Sequence, residues 1–111
     1  MQDRILSLIG MCRRAGKLTA GNDAVIDEVQ NGKAKLVIVS VDISSNTEKK
    51  LRKACSANKV ECLKLNRTRD ELSQAIGRFC AVVAVTDNGF SKKLNQLISN
   101  ENQEVNVYDK I

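Results

Sequence analysis

The sequence predicts an α/β protein, a three-layer α/β/α sandwich with a mixed sheet of about four strands. Three observations point there. Two short runs, LVIV at residues 36–39 and CAVVAV at residues 80–85, are apolar at every position, which marks strands covered on both faces. Segments with helical periodicity alternate with strand-like ones through most of the chain. The connections between them are short, and in a chain without proline they rely on Gly, Asn, Asp and Ser.

Ile5, Leu8, Ile9 and Cys12 recur at the i, i+3, i+4, i+7 spacing of a first amphipathic helix, with Arg4, Arg13 and Arg14 off the stripe and Gly16 at its exit. Lys17, Leu18 and Thr19 make a short extended piece before a turn at Ala20, Gly21 and Asn22. Val25, Ile26 and Val29 form the stripe of a second helix, with Gly32 just past its end, and residues 36–39 follow as a central strand. Ser45 with Glu48 reads as a capping box opening a third helix, whose apolar stripe is Leu51, Ala54 and Cys55. Lys49, Lys50, Arg52 and Lys53 should form its solvated face.

Residues 60–65 are strand-like, but Glu61 and Lys64 place that strand near the sheet edge. Thr68 with Glu71 repeats the capping box, and Leu72, Ala75 and Ile76 make a short fourth helix ended by Gly77. Residues 80–85 form the second central strand. Asp87, Asn88 and Gly89 turn the chain into a last helix with Leu94, Leu97 and Ile98 inward. Residues 1–99 are read as one domain and residues 100–111 as a polar tail, in which Val105, Val107 and Tyr108 add a short extended segment or stay loose.

Whole-chain numbers narrow the function classes. A chain of 111 residues holds a core without staples. The net charge of +5 favours polyanions, but aromatic residues are only 3% of the chain, which disfavours a base-stacking platform of the single-strand-binder kind. Four cysteines without a C-x-x-C pair, in a chain with no histidine, read as small buried apolar residues rather than a zinc site. Asp3 near the start and the lack of a long apolar stretch argue against a signal peptide or a membrane span, so the expected location is the cytoplasm.

Catalytic chemistry is poorly supplied. Asp42 and Asp87 each follow a buried strand, where two carboxylates can hold a magnesium ion, but their commoner roles are turn residue and helix cap. No phosphate-loop order is present around Gly16 and Gly21. The protein is expected to be no enzyme and to need no cofactor or metal.

The binding features are stronger. Gly21 sits directly before a helix start, whose unpaired N–H groups and positive dipole end attract anions and electron-rich base edges. Basic residues flank it in sequence, Lys17 before and Lys33 after. A side chain at Gly21 should block backbone approach, so Gly21→Val is expected to weaken binding at this turn far more than folding. Gly77, Arg78 and Phe79 precede the last central strand; Arg78 offers a fork of donors, and Phe79 serves either as contact for an extruded base or as a core residue at the sheet end.

Three stretches, AGNDAVIDEVQNGKAKLVIVSVD, SSNTEKKL and GRFCAVVAVTDNGF, resemble the kink-turn RNA-binding superfamily of ribosomal proteins, the archaeal L-seven-Ae type, and look most like its small bacterial YlxQ-type members. The resemblance implies a sandwich of this kind that holds kinked RNA by the glycine loop and second helix, with the loop before the last strand covering flipped-out nucleotides. Gly21 matches the family's glycine. The family's guanine-reading Asn-Glu pair falls at Asp23 and Ala24, and a family lysine falls at Asp27. Ala24 cannot hydrogen-bond through its side chain and Asp27 repels phosphate, whereas Asp23 can accept from a guanine edge and Asn22 is expected to take part of the lost polar role.

The resulting expectation is a monomeric, ribosome-associated protein that binds structured RNA, ribosomal RNA included, through Lys17, Gly21, Asn22, Asp23, Lys33, Gly77, Arg78 and Phe79. A protein-interaction or assembly module on the same fold, and the RNA-recognition part of a modifying enzyme, are the competing readings.

Overall fold

The computed structural model describes residues 3–109. Five helices and four strands alternate: α1 (Arg4–Arg14), β1 (Leu18–Ala20), α2 (Asn22–Gln30), β2 (Leu36–Val39), α3 (Ser45–Ala57), β3 (Glu61–Lys64), α4 (Arg69–Ile76), β4 (Val82–Val85) and α5 (Asn88–Asp109). The sheet order is β1-β4-β2-β3. β4 lies antiparallel to both β1 and β2, whereas β2 and β3 run parallel, so the sheet is mixed as expected.

The two all-apolar runs are the two inner strands, buried at every position. Their alternation divides the core. Leu36, Ile38, Val83 and Val85 face Ile5, Ile9, Leu72, Ile76, Leu94 and Ile98 of α1, α4 and α5. Val37, Val39, Val82 and Ala84 face Val25, Val29, Leu51 and Cys55 of α2 and α3. A strand with a period of two can serve both layers only if neither parity is polar, which is why these runs carry no charge. β3, with Glu61 and Lys64, is a sheet edge.

Close packing of α1 on α4 depends on Gly10, where an added Cβ would lie 3.0 Å from the Ala75 carbonyl oxygen. Cys12, Cys55 and Cys80 are buried and Cys62 is half-buried; all four are free thiols. Burial, with a smaller push from Asp87, raises the Cys12 thiol to about 11, so it is a neutral apolar filler at physiological pH.

Local differences from expectation have physical causes. The cap of α3 is Ser44 rather than Ser45: its side chain accepts from the Thr47 N–H, which puts Thr47 at the third helical position and frees Glu48 to pair with Arg52 and Lys64. Two adjacent serines offered alternative starts, and the chain used the first. At α4 the capping box of Thr68 and Glu71 is present in both directions. The last helix does not stop at Asn100 but continues to Asp109. Arg67 anchors the turn just past Asn100, since its guanidinium forks onto Glu101 at 2.9 Å and also bonds Asp3 at the start of α1.

Candidate nucleic-acid interface

Both loops singled out by sequence lie at the same end of the sheet, where β1 finishes and β4 begins. The Gly21 N–H donates to the Val82 carbonyl at 3.1 Å, tying the turn to the first residue of β4. The loop carrying Gly77, Arg78 and Phe79 leads into that same strand. The two are in contact: a Cβ built on Gly21 would lie 3.5 Å from Arg78 Nη2, so the guanidinium rests beside the bare glycine backbone.

Gly21 adopts φ 102° and ψ 151° as the cap residue of α2. That combination belongs to glycine almost exclusively. It corrects the expectation that Gly21→Val would spare folding, because the backbone itself opposes a side chain even though an added Cβ would meet Arg78 only at an ordinary contact distance. No side chain caps α2, in contrast to α1, α3 and α4, which use Asp3, Ser44 and Thr68. The Gly21 carbonyl accepts from Val25 N, leaving the N–H groups of Asn22, Asp23 and Ala24 at the positive end of the helix without intrahelical acceptors. Main-chain donors therefore stand where Ala24 supplies no polar side chain.

The second loop is held open by a residue that sequence reading passed over. Ser73 Oγ accepts from the Cys80 N–H at 3.0 Å and donates to the Cys80 carbonyl at 3.2 Å, while its carbonyl accepts from Gly77 N and Arg78 N. Gly77 takes the left-handed conformation at φ 73° as the cap of α4. Clamped at both ends, the loop pushes Arg78 and Phe79 outward, and Phe79 is 71% exposed. Its alternative role as a core residue at the sheet end is thereby excluded. Cys80 is buried, and burial raises its thiol against the opposing pull of Arg78 and Arg13.

Other candidates lie elsewhere. Lys17 enters β1 at the opposite end, where its carbonyl accepts from Thr86 N, and Lys33 follows the far end of α2. Neither adjoins Gly21, because one strand length and one helix length intervene. Asp42 and Asp87 cannot share a magnesium ion: β2 and β4 are antiparallel, so the residues that follow them emerge at opposite ends. Each carboxylate instead accepts a backbone N–H, Asp42 from Arg69 at 2.8 Å and Asp87 from Phe90 at 2.9 Å. Among the described residues there is no group of three or more acidic or cysteine side chains that could hold a metal. Lys49, Lys50 and Lys53 form a solvated face as expected, but Arg52 is engaged with Glu48 and the Cys62 carbonyl.

Among the described residues, no helix is long and apolar enough to cross a membrane. Comparison with known proteins places this architecture. An RNA-binding protein YlxQ from Bacillus subtilis is 45% identical over 92 residues, covering 82% of this chain and 91% of its own length. One of the same name from Enterococcus faecium is 40% identical over 97 residues, covering 87% and 93%. A protein of unknown function from Bacillus halodurans superposes with a TM-score of 0.83 at 38% identity, over 88% of this chain and 99% of that one. A 15.5kD RNA binding protein of Giardia lamblia shares the fold at a TM-score of 0.71 and 17% identity, over 90% of this chain and 92% of that one. The ribosomal protein L7Ae/L30e/S12e/Gadd45 family profile matches residues 3–95, and the chain is a member of that family.

Proposed function

We propose that this protein is a non-catalytic, cytoplasmic, ribosome-associated RNA-binding protein that takes hold of structured, kink-turn-like RNA with the start of α2 and the loop of Gly77, Arg78 and Phe79. The observation that carries this reading is the junction of Gly21 with Arg78, which sets an uncapped helix start, a guanidinium and an exposed ring on one surface. The relatives named as RNA-binding proteins support it.

Each part has a physical task. The free N–H groups of Asn22, Asp23 and Ala24 meet phosphate or the acceptor edge of a base, and the Asp23 carboxylate accepts from a guanine edge. Arg78 forks onto a phosphate or guanine, and Phe79 covers an unstacked nucleotide. Ser73 positions both through Cys80.

The test is fluorescence anisotropy with a synthetic kink-turn RNA against a straight duplex of the same composition. The kinked RNA should bind more tightly, and Arg78→Ala and Phe79→Ala should each weaken it about tenfold, since such contacts contribute roughly 1–3 kcal/mol. About five phosphate contacts give a log–log salt slope near −4. Equal affinity for both RNAs, unaffected by either substitution, or a flat salt response, would remove this reading and favour a protein-interaction role.

A further inference from the structure

The opposite end of the sheet carries a row of lysines that the Gly21 surface does not use. Lys17 and Lys35 immediately precede β1 and β2, the two neighbours of β4, and they straddle its end: the Lys17 carbonyl accepts from Thr86 N at 3.0 Å, and Lys35 N donates to the Val85 carbonyl at 2.7 Å. Two inter-strand spacings separate them, roughly 10 Å. Lys33 lies in the turn before Lys35, and Lys59 precedes β3, whose Glu61 is in register with Leu36. All four are exposed.

None of the four has an acidic partner within 4.0 Å among the described residues. Of the nearby acids, Asp87 accepts from the Phe90 N–H and Glu61 from the Asn95 side chain, both on α5, while Asp27 and Glu28 lie in the last turn of α2; none comes within 4.0 Å of these lysines. At the Gly21 end Arg67 and Arg69 are paired with acids, whereas Arg78, part of the Gly21 surface, has no acidic partner within 4.0 Å among the described residues. Helix dipoles do not account for the row either. The last turns of α2 and α3 contain no basic residue, and Lys33, Lys35 and Lys59 sit beyond those helices at the strand entrances. Like charges spaced by about a Debye length repel one another, and a polyanion relieves that repulsion.

We infer that this end is a second RNA-contact surface that follows the phosphate backbone of another segment of the same RNA, so that the two segments are held at opposite ends of one sheet. The inference rests on the RNA-binding reading above, but not on which loop recognises the kink. None of the exposed large hydrophobics, Met11, Val41 and Phe79, falls in the row, so it offers no apolar anchor for a peptide or a lipid surface. Phosphates need none, and contact of this kind is independent of sequence.

The test compares Lys17→Gln/Lys33→Gln/Lys35→Gln with the unaltered protein on two probes, a minimal kink-turn RNA and the same RNA with one stem lengthened, with circular dichroism as the check on folding. The triple variant should bind the minimal RNA within about twofold and the lengthened RNA about tenfold more weakly, with a salt slope shallower by about 2–3 on the latter. Equal affinities of variant and parent for the lengthened RNA would overturn the second surface. So would an equal loss on both probes, which would mean these lysines act as a diffuse field. Arg78→Ala separates the two readings: if it leaves the minimal RNA unaffected while the triple variant still discriminates between probes, the kink surface fails and the second surface stands.

Discussion

Gly21 shows how one residue combines a folding role with the binding role proposed for it. Its φ of 102° is compatible with almost no other residue, and the Arg78 guanidinium lies beside it, 3.5 Å from where a Cβ would stand. Gly21→Ala is therefore expected to cost about 1–3 kcal/mol in chemical denaturation as well as binding affinity. A variant of unchanged stability would mean that the turn relaxes to an ordinary conformation. The need for glycine here was legible from its place directly before a helical stripe. Ser73 was not legible, because its role is a contact between α4 and a loop that only the finished fold brings together. Phe79 stood between two roles in sequence; the Ser73 clamp decides it by turning the loop outward.

At the level of elements, hydrophobic pattern sufficed wherever burial is complete. β2 and β4 stood out because strands covered on both faces must be apolar throughout, and charge marked β3 as an edge. The continuation of α5 past Asn100 was missed because the contact that anchors Glu101 there comes from Arg67, distant in sequence, rather than from a local signal. That arginine ties together the start of α1, the approach to α4 and the outer part of α5 with a side chain only 16% exposed. Arg67→Met is expected to destabilise the protein by about 1–2 kcal/mol at neutral pH, leaving Asp3 and Glu101 unpaired. The Arg67 hydrogen bond holds the Asp3 carboxyl below its ordinary 3.8, against the opposing effect of burial. The stabilisation from Asp3 is thus complete above that value and lost as pH falls through the lowered one. Urea titrations should show the gap between parent and variant narrowing below about pH 4; a gap independent of pH would place the role of Arg67 in packing alone.

For the molecule as a whole, the antiparallel pairing of β4 with both neighbours decides which residues can act together. It gathers the exits of β1 and β2 with the entrance of β4 at one end, and Lys17, Lys35 and Asp87 at the other. Sequence proximity put Lys17 and Lys33 in one binding set with Gly21; strand β1 and helix α2 carry them to the other end of the sheet. Strand β1 has one further consequence. It is a three-residue rim strand that joins Lys17 at its entrance to Gly21 at its exit. So short a ladder is the natural place for the sheet to fray, and its amides should exchange with deuterium faster than those of β2 or β4 in the free protein. Capture of RNA at Gly21 should slow that exchange at Leu18, Thr19 and Ala20, a protection readable by mass spectrometry; exchange there that ignores bound RNA would mean the rim is not coupled to the ligand.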